Sequence, residues 1–123
     1  MRICVFGSRT FIDYRRLCDK LNPYLASWLH PHELVSGRCP EGADYLGEVW
    51  AKYHGIRVKP FPANWAKFGR PAGPRRNTEM ARYLAEQPFS VAIGFWNGES
   101  HGTSDMIQKV VATKRVELHV YYF

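Results

Sequence analysis

Short apolar runs alternate along this chain with longer stretches whose apolar residues recur at helical spacing. Ile3-Cys4-Val5-Phe6 reads as a buried strand ended by Gly7. Residues 13 to about 29 read as a helix, with Leu17, Leu21, Leu25, Trp28 and Leu29 on one stripe and Asp13 placed to cap its start. Glu33–Ser36 forms a second short strand. A helix from residue 43 to about 54 follows, with Leu46, Val49, Trp50 and Tyr53 inward and Gly55 as its stop. Residues 56–61 read as a third strand. Residues 62–74 hold Pro62, Pro71, Pro74, Gly69, Gly73 and an isolated Trp65, which predicts a long functional loop. A third helix is expected from about residue 75 to 86, with Met80, Tyr83 and Leu84 as its stripe. Ser90–Trp96 is the most hydrophobic strand and so an interior one. A fourth helix opens at Gly102-Thr103 and runs to about Lys114, with Ile107, Val110 and Val111 inward. Val116–Tyr122 is the last strand.

The pattern is β-α-β-α-β-α-β-α-β, with no repeat and no low-complexity segment. Right-handed crossovers turn it into an α/β fold, a parallel sheet with helices on both faces. A ligand then sits at the carboxyl ends of the strands, where the strand order reverses. Glycines and basic residues gather in the four loops that follow strands one to four.

Composition narrows the class. A chain of 123 residues fits one domain, 1–123, and 46% hydrophobic against 23% charged residues is globular rather than disordered. No apolar stretch approaches the ~20 residues of a membrane span. Met1-Arg2 leads into the first strand without a leader or cleavage site. Three cysteines, Cys4, Cys18 and Cys39, form no CxxC pair, which argues against a disulfide framework or zinc finger and for the reducing cytoplasm. Seventeen Lys and Arg against eleven Asp and Glu give a formal charge of +6, so an anionic partner is expected.

The loops carry the candidate chemistry. After strand one, Gly7 permits a sharp turn and close approach to a ligand, Ser8 and Thr10 offer hydroxyls, and Arg9 a planar fork for phosphate or carboxylate. After strand two, Ser36-Gly37 and Gly42-Ala43-Asp44 have phosphate-loop spacing. Ala43-Asp44 replaces the Lys-Ser/Thr that a Walker A motif requires. A glycine turn into a helix N-terminus remains, which favours anions. Asp44 fits two roles, a ribose hydroxyl partner or a helix cap, and capping fits the sequence better. Trp65 is placed either to stack on a base or to cover the core. Arg75 and Arg76 stand at an expected helix start, where a cation is disfavoured unless an anion lies beside it. Arg75 is the one assigned to solvent. After strand four, Trp96 precedes a second helix start at Gly102-Thr103, where Thr103 can cap the helix or hold phosphate. Asp105 suits the helix dipole without further function. His101 reads as a solvated loop residue. His30, His32, His54 and His119 make no metal-ligand spacing, and no Ser-His-acid constellation is present. No metal and no cofactor are expected.

Together, Gly7-Ser8-Arg9, Ser36-Gly37 with Gly42-Ala43-Asp44, Pro62-Ala63 with Trp65, Ala72-Gly73 with Arg76-Asn77 and Met80, and Phe95-Trp96 with Gly102-Thr103 resemble the SLOG superfamily. This is the Rossmann-like fold shared by DNA processing protein A and the Lonely Guy proteins, and the small YspA-like branch is the best fit. The ordered set covers nearly the whole chain. The resemblance implies a three-layer α/β/α sandwich with sheet order 3-2-1-4-5. It also implies a nucleotide or nucleotide-derived ligand over strands one and four, and frequent homo-oligomers. Tyr83 or Trp50 could serve such contacts if exposed, although both fit the core better.

Lonely Guy enzymes cleave nucleoside monophosphates with an arginine and a glutamate. Arg76 matches the arginine, but Glu99-Ser100 replaces two motif glycines and Met106 occupies the glutamate position. A thioether cannot act as a base, and Asp105 lies about 100° further back around the helix. A phosphoribohydrolase would need Asp44, Asp105 or Glu99 instead, with Arg76. The reading these residues favour is a sensor, carrier or sink for a nucleotide or nucleotide-derived molecule. Its expected contacts are Gly7, Ser8, Arg9, Gly37, Gly42, Asp44, Trp65, Arg76, Asn77, Trp96, Gly102 and Thr103. Single-stranded DNA binding is a further alternative, although the basic residues form no dense run.

Overall fold

The computed structural model describes residues 1–26, 31 and 33–123. Its strands are β1 (Arg2–Gly7), β2 (Glu33–Ser36), β3 (Arg57–Pro60), β4 (Ser90–Trp96) and β5 (Val116–Tyr122). They pair in parallel in the order β3-β2-β1-β4-β5. The helices are α1 (Tyr14–Leu21), α2 (Ala43–Tyr53), α3 (Trp65–Phe68), α4 (Ala72–Ala85) and α5 (His101–Thr113). The strand order reverses between β1 and β4, the crevice foreseen for a ligand.

β1 and β4 are apolar almost throughout because both faces of the sheet are covered. Alternation along β1 sends Ile3 and Val5 to one face and Cys4 and Phe6 to the other. The first face packs against Leu17 and Leu21 of α1 and Trp50 and Ala51 of α2. The second packs against Met80 and Leu84 of α4 and Met106 and Val110 of α5. Trp50 is fully buried, and its indole N–H donates to Asn22 Oδ1 at 2.9 Å. Tyr83 is half-buried, its hydroxyl hydrogen-bonded to the Glu33 carboxylate. Trp50 is therefore core and offers no contact surface. Among the described residues no helix is long and apolar enough to cross a membrane.

Several expectations are corrected. α1 ends at Leu21 and gives way to a one-turn 3₁₀ helix, Asn22–Tyr24, because Pro23 has no N–H to continue the α ladder. Trp28 and Leu29, placed on that helix by the sequence pattern, lie outside the described residues. The stretch 62–74 is not one loop. Asn64 caps the short α3 by accepting from Lys67 N, and α4 already starts at Ala72. Pro74 fits inside its first turn, where an N–H would have no helical acceptor. Tyr53 is 82% exposed and Val111 59% exposed, so neither faces inward. Each lies at the margin of a stripe already filled, by Trp50 and Val110 respectively.

α2 lies close on the sheet because residue 47 is glycine. A Cβ there would stand 2.8 Å from Val5 Cβ, a branch point that cannot rotate away. Gly47→Ala is expected to lower unfolding stability by roughly 1–3 kcal/mol through overpacking, even though alanine is the better helix former. Urea unfolding of the variant checks this. An unchanged or raised midpoint would mean that α2 can lift off β1 freely.

Candidate functional site

The turn after β1 is fixed by its neighbours. Ser8 N donates to the Phe95 carbonyl at 2.9 Å, and the Ser8 carbonyl accepts from Phe11 N and Ala43 N. Ser8 Oγ accepts from Asn97 N at 3.2 Å, which ties the β1 and β4 loops together. Ser8 is buried, so it holds the loops and is not among the cavity-lining residues. Gly42 has φ +81°, and a Cβ there would lie 2.5 Å from Arg9 Cα. Both its backbone conformation and its contact with the turn require glycine.

The loop after β2 is built around Glu48. Its carboxylate accepts from Ser36 Oγ at 2.7 Å and pairs with Arg38 Nε at 3.7 Å, while Ser36 Oγ accepts from Arg38 N. Gly42, not Asp44, is the N-cap of α2. The Asp44 carboxylate turns back and accepts from Cys39 N at 3.2 Å, which displaces the capping role. Arg76 lies in the second turn of α4 rather than at a helix start. It donates from Nη1 to the Gly37 carbonyl and from Nε to Asn77 Oδ1. A Cβ at Gly37 would stand 2.7 Å from Arg76 Nη1, so a larger residue there would push the guanidinium aside. Buried Asn77 donates to Asp105 Oδ2 at 3.0 Å and to the Gly102 carbonyl. Lys109 Nζ also donates to Asp105 Oδ2, at 2.9 Å, so Asp105 ties α4 to α5. Ser100, not Thr103, caps α5; its Oγ accepts from Thr103 N and Thr103 Oγ1.

These loops enclose a cavity of about 660 Å³ at the carboxyl edge of the sheet. Of the residues singled out from the sequence, Gly7, Arg9, Gly37, Asp44, Trp65, Arg76, Asn77, Gly102, Thr103 and Asp105 line it. Phe6, Met80 and Met106 supply apolar wall; Met106 is 1% exposed and roots this wall in the core. Trp65 is 51% exposed, and Gly73 lets its ring lie close, 3.1 Å from where a Cβ would stand. The structure does not bring Trp96 into the cavity. Its indole N–H donates to the Ser100 carbonyl and its ring packs on Tyr122. Gly42 lies behind the wall against Arg9, and Glu99 is exposed outside it. Arg75 stacks its guanidinium 4.0 Å from the Phe68 ring centroid and is exposed, as assigned.

Two further arginines line the cavity that the sequence reading passed over, Arg38 and Arg70. Among the described residues, Arg9 and Arg70 have neither a hydrogen-bond nor an ion-pair partner. A single signal was available for Arg70, its place next to Gly69 in a loop already marked as functional.

Burial pushes the Asp44 carboxyl up to about 6, against the opposing pull of the Cys39 N–H, Arg76 and Arg9. A carboxyl whose pKa is raised by folding adds stability below its unfolded value of 3.8, and that stability is lost as pH rises through about 6. Asp44→Asn is therefore expected to be more stable than the parent at pH 7.5, by on the order of 2–3 kcal/mol, with little difference at pH 4. Denaturant unfolding at both pH values tests this. A gain of equal size at the two would assign the effect to packing.

A family model described as the YspA, cpYpsA-related SLOG family matches residues 1–68, which covers β1 to α3 and with them the loops after β1 and β2. Neither a curated protein nor a solved structure matches the chain. With more than half of its length matched by this model and the parallel 3-2-1-4-5 sheet in place, the chain belongs to the YspA, cpYpsA-related SLOG family.

Proposed function

We propose that the cavity binds a nucleotide or nucleotide-derived small molecule, and that the protein acts as its sensor, carrier or sink. The observation that carries this is the pair of guanidiniums, Arg9 and Arg70, that have no partner among the described residues and line a cavity of about 660 Å³. An arginine fork without a protein acceptor suits a phosphoryl group. The volume lies in the range of small-molecule sites, and the mixture of apolar wall with a few directed polar groups is typical of them. Trp65, half exposed at the rim, offers a ring for a base. Family membership supports the ligand class in general terms.

A second reading, cleavage of an N-glycosidic bond, draws on Asp44 alone. A cavity carboxyl that titrates at about 6 is suited to carry a proton near neutral pH. Met106 at the position where the Lonely Guy motif has glutamate supports binding over hydrolysis.

Arg9→Ala is expected to weaken AMP binding by about tenfold or more, the loss of one charged hydrogen-bonding group, with only a small drop in the urea midpoint at neutral pH, since Arg9 touches the fold only through its field at Asp44. Arg76→Ala should weaken binding too, but with a larger loss of stability, because its guanidinium also holds the Gly37 carbonyl. Calorimetric titration with AMP, beside unfolding curves, separates the two. Equal affinity in the parent and Arg9→Ala would remove Arg9 from the site. Release of free adenine from AMP would favour the hydrolytic reading.

A further inference from the structure

We propose that Asp44 is a proton-linked gate on this cavity, so that an anionic ligand binds with uptake of a proton at its carboxylate. The inference rests on the nucleotide reading above.

Asp44 is 7% exposed, yet its carboxylate forms part of the cavity wall. Oδ2 accepts one hydrogen bond, from Cys39 N, and lies 2.9 Å from the place a Cβ on Gly37 would take. Arg76 reaches the same place from the other side, but its donors are turned to the Gly37 carbonyl and Asn77. Among the described residues no ion pair within 4.0 Å neutralises Asp44. It is a buried carboxylate with a hydrogen bond and no counter-ion in contact.

The surrounding charges come from every side. Arg9 faces it from the β1–α1 turn and Arg76 from α4, and both favour the ionised form. Glu48 on α2 opposes it, and the Cys4 thiol of β1 lies beneath. Arg38 and the Cys39 thiol flank it on its own loop, while His101 and Asp105 stand on the same cavity from α5. A phosphoryl group drawn to Arg9 and Arg76 takes over the two cations that support the Asp44 charge. It also adds a like charge beside it, and two anions sharing one low-dielectric site raise the proton affinity of the weaker acid. Ligand and proton therefore arrive together, and affinity for the anion falls as the pH rises past the Asp44 titration.

The test is calorimetric titration with AMP between pH 5.5 and 7.5, in buffers of different ionisation enthalpy, on the parent, Asp44→Asn and His101→Gln. Free AMP titrates alike against all three proteins, so differences between them report the complex. Over this range the affinity of the parent should fall roughly five- to twentyfold further than that of Asp44→Asn, and His101→Gln should follow the parent. At pH 7.5 the parent should take up roughly 0.2 to 0.8 of a proton more per AMP than the variant, the range that matches this fall in affinity. Should Asp44→Asn fail to fold, proton uptake by the parent and His101→Gln decides alone. Parallel pH profiles in parent and Asp44→Asn, with AMP still bound, overturn the gate and leave the nucleotide reading intact. A dependence lost in His101→Gln assigns the proton to the histidine and also overturns it. Absence of AMP binding in the parent at every pH overturns the gate together with AMP as a ligand.

Discussion

A methyl group at Gly7 would stand 2.3 Å from the Phe95 carbonyl oxygen and 2.9 Å from Ala43 Cβ, so the end of β1 is wedged between β4 and the start of α2. The Ser8 backbone and hydroxyl complete the wedge with hydrogen bonds to both neighbours. This close approach sets the spacing of the β1, β2 and β4 loops, and the cavity is the space left between them. The glycines at 7 and 42 bring backbone against backbone, and Gly37 brings backbone against the Arg76 guanidinium. Main chain at Gly7 and Gly37 thus stands in the wall beside the apolar side chains of Phe6, Met80 and Met106, with arginines around it.

The electrostatics follow from that construction. Acids near the cavity are already committed within the fold: Glu48 to Ser36 and Arg38, and Asp105 to Asn77 and Lys109. The cations are committed less fully, and Arg9 and Arg70 not at all among the described residues. The excess positive charge of the chain thus finds a local expression that needs no extended basic face. Asp44 is the exception, a carboxyl whose burial opposes its charge.

Reading the chain by periodicity recovered the sheet almost strand for strand, because β1 and β4 are buried on both faces and show as unbroken apolar runs. The order of the strands came from the family resemblance, since periodicity holds no information about which strands neighbour one another. Helix ends were harder. Pro23 ended α1 eight residues before the stripe suggested, and the prolines at 71 and 74 hid an early start of α4. Side-chain direction was harder still. Trp96 and Trp65 look alike as aromatics in loops, but an indole hydrogen bond to the Ser100 carbonyl turns one away, while Gly73 makes room for the other. Arg70 was passed over for the same reason: only the α3–α4 turn, invisible as a pattern, brings it to the rim.

β1 has a consequence of a different kind. Its one edge pairs with β2 soon after it in the chain, but its other edge waits for β4, separated from it by most of the sequence. While the chain is being made, that edge stays open for seconds, with Ile3, Val5 and Phe6 behind it. An unpaired apolar edge is a template for another chain, and long-range parallel pairing is slow to close. The same switch in strand order that opens the crevice therefore makes late capture of β4 the hazardous step in this protein's birth.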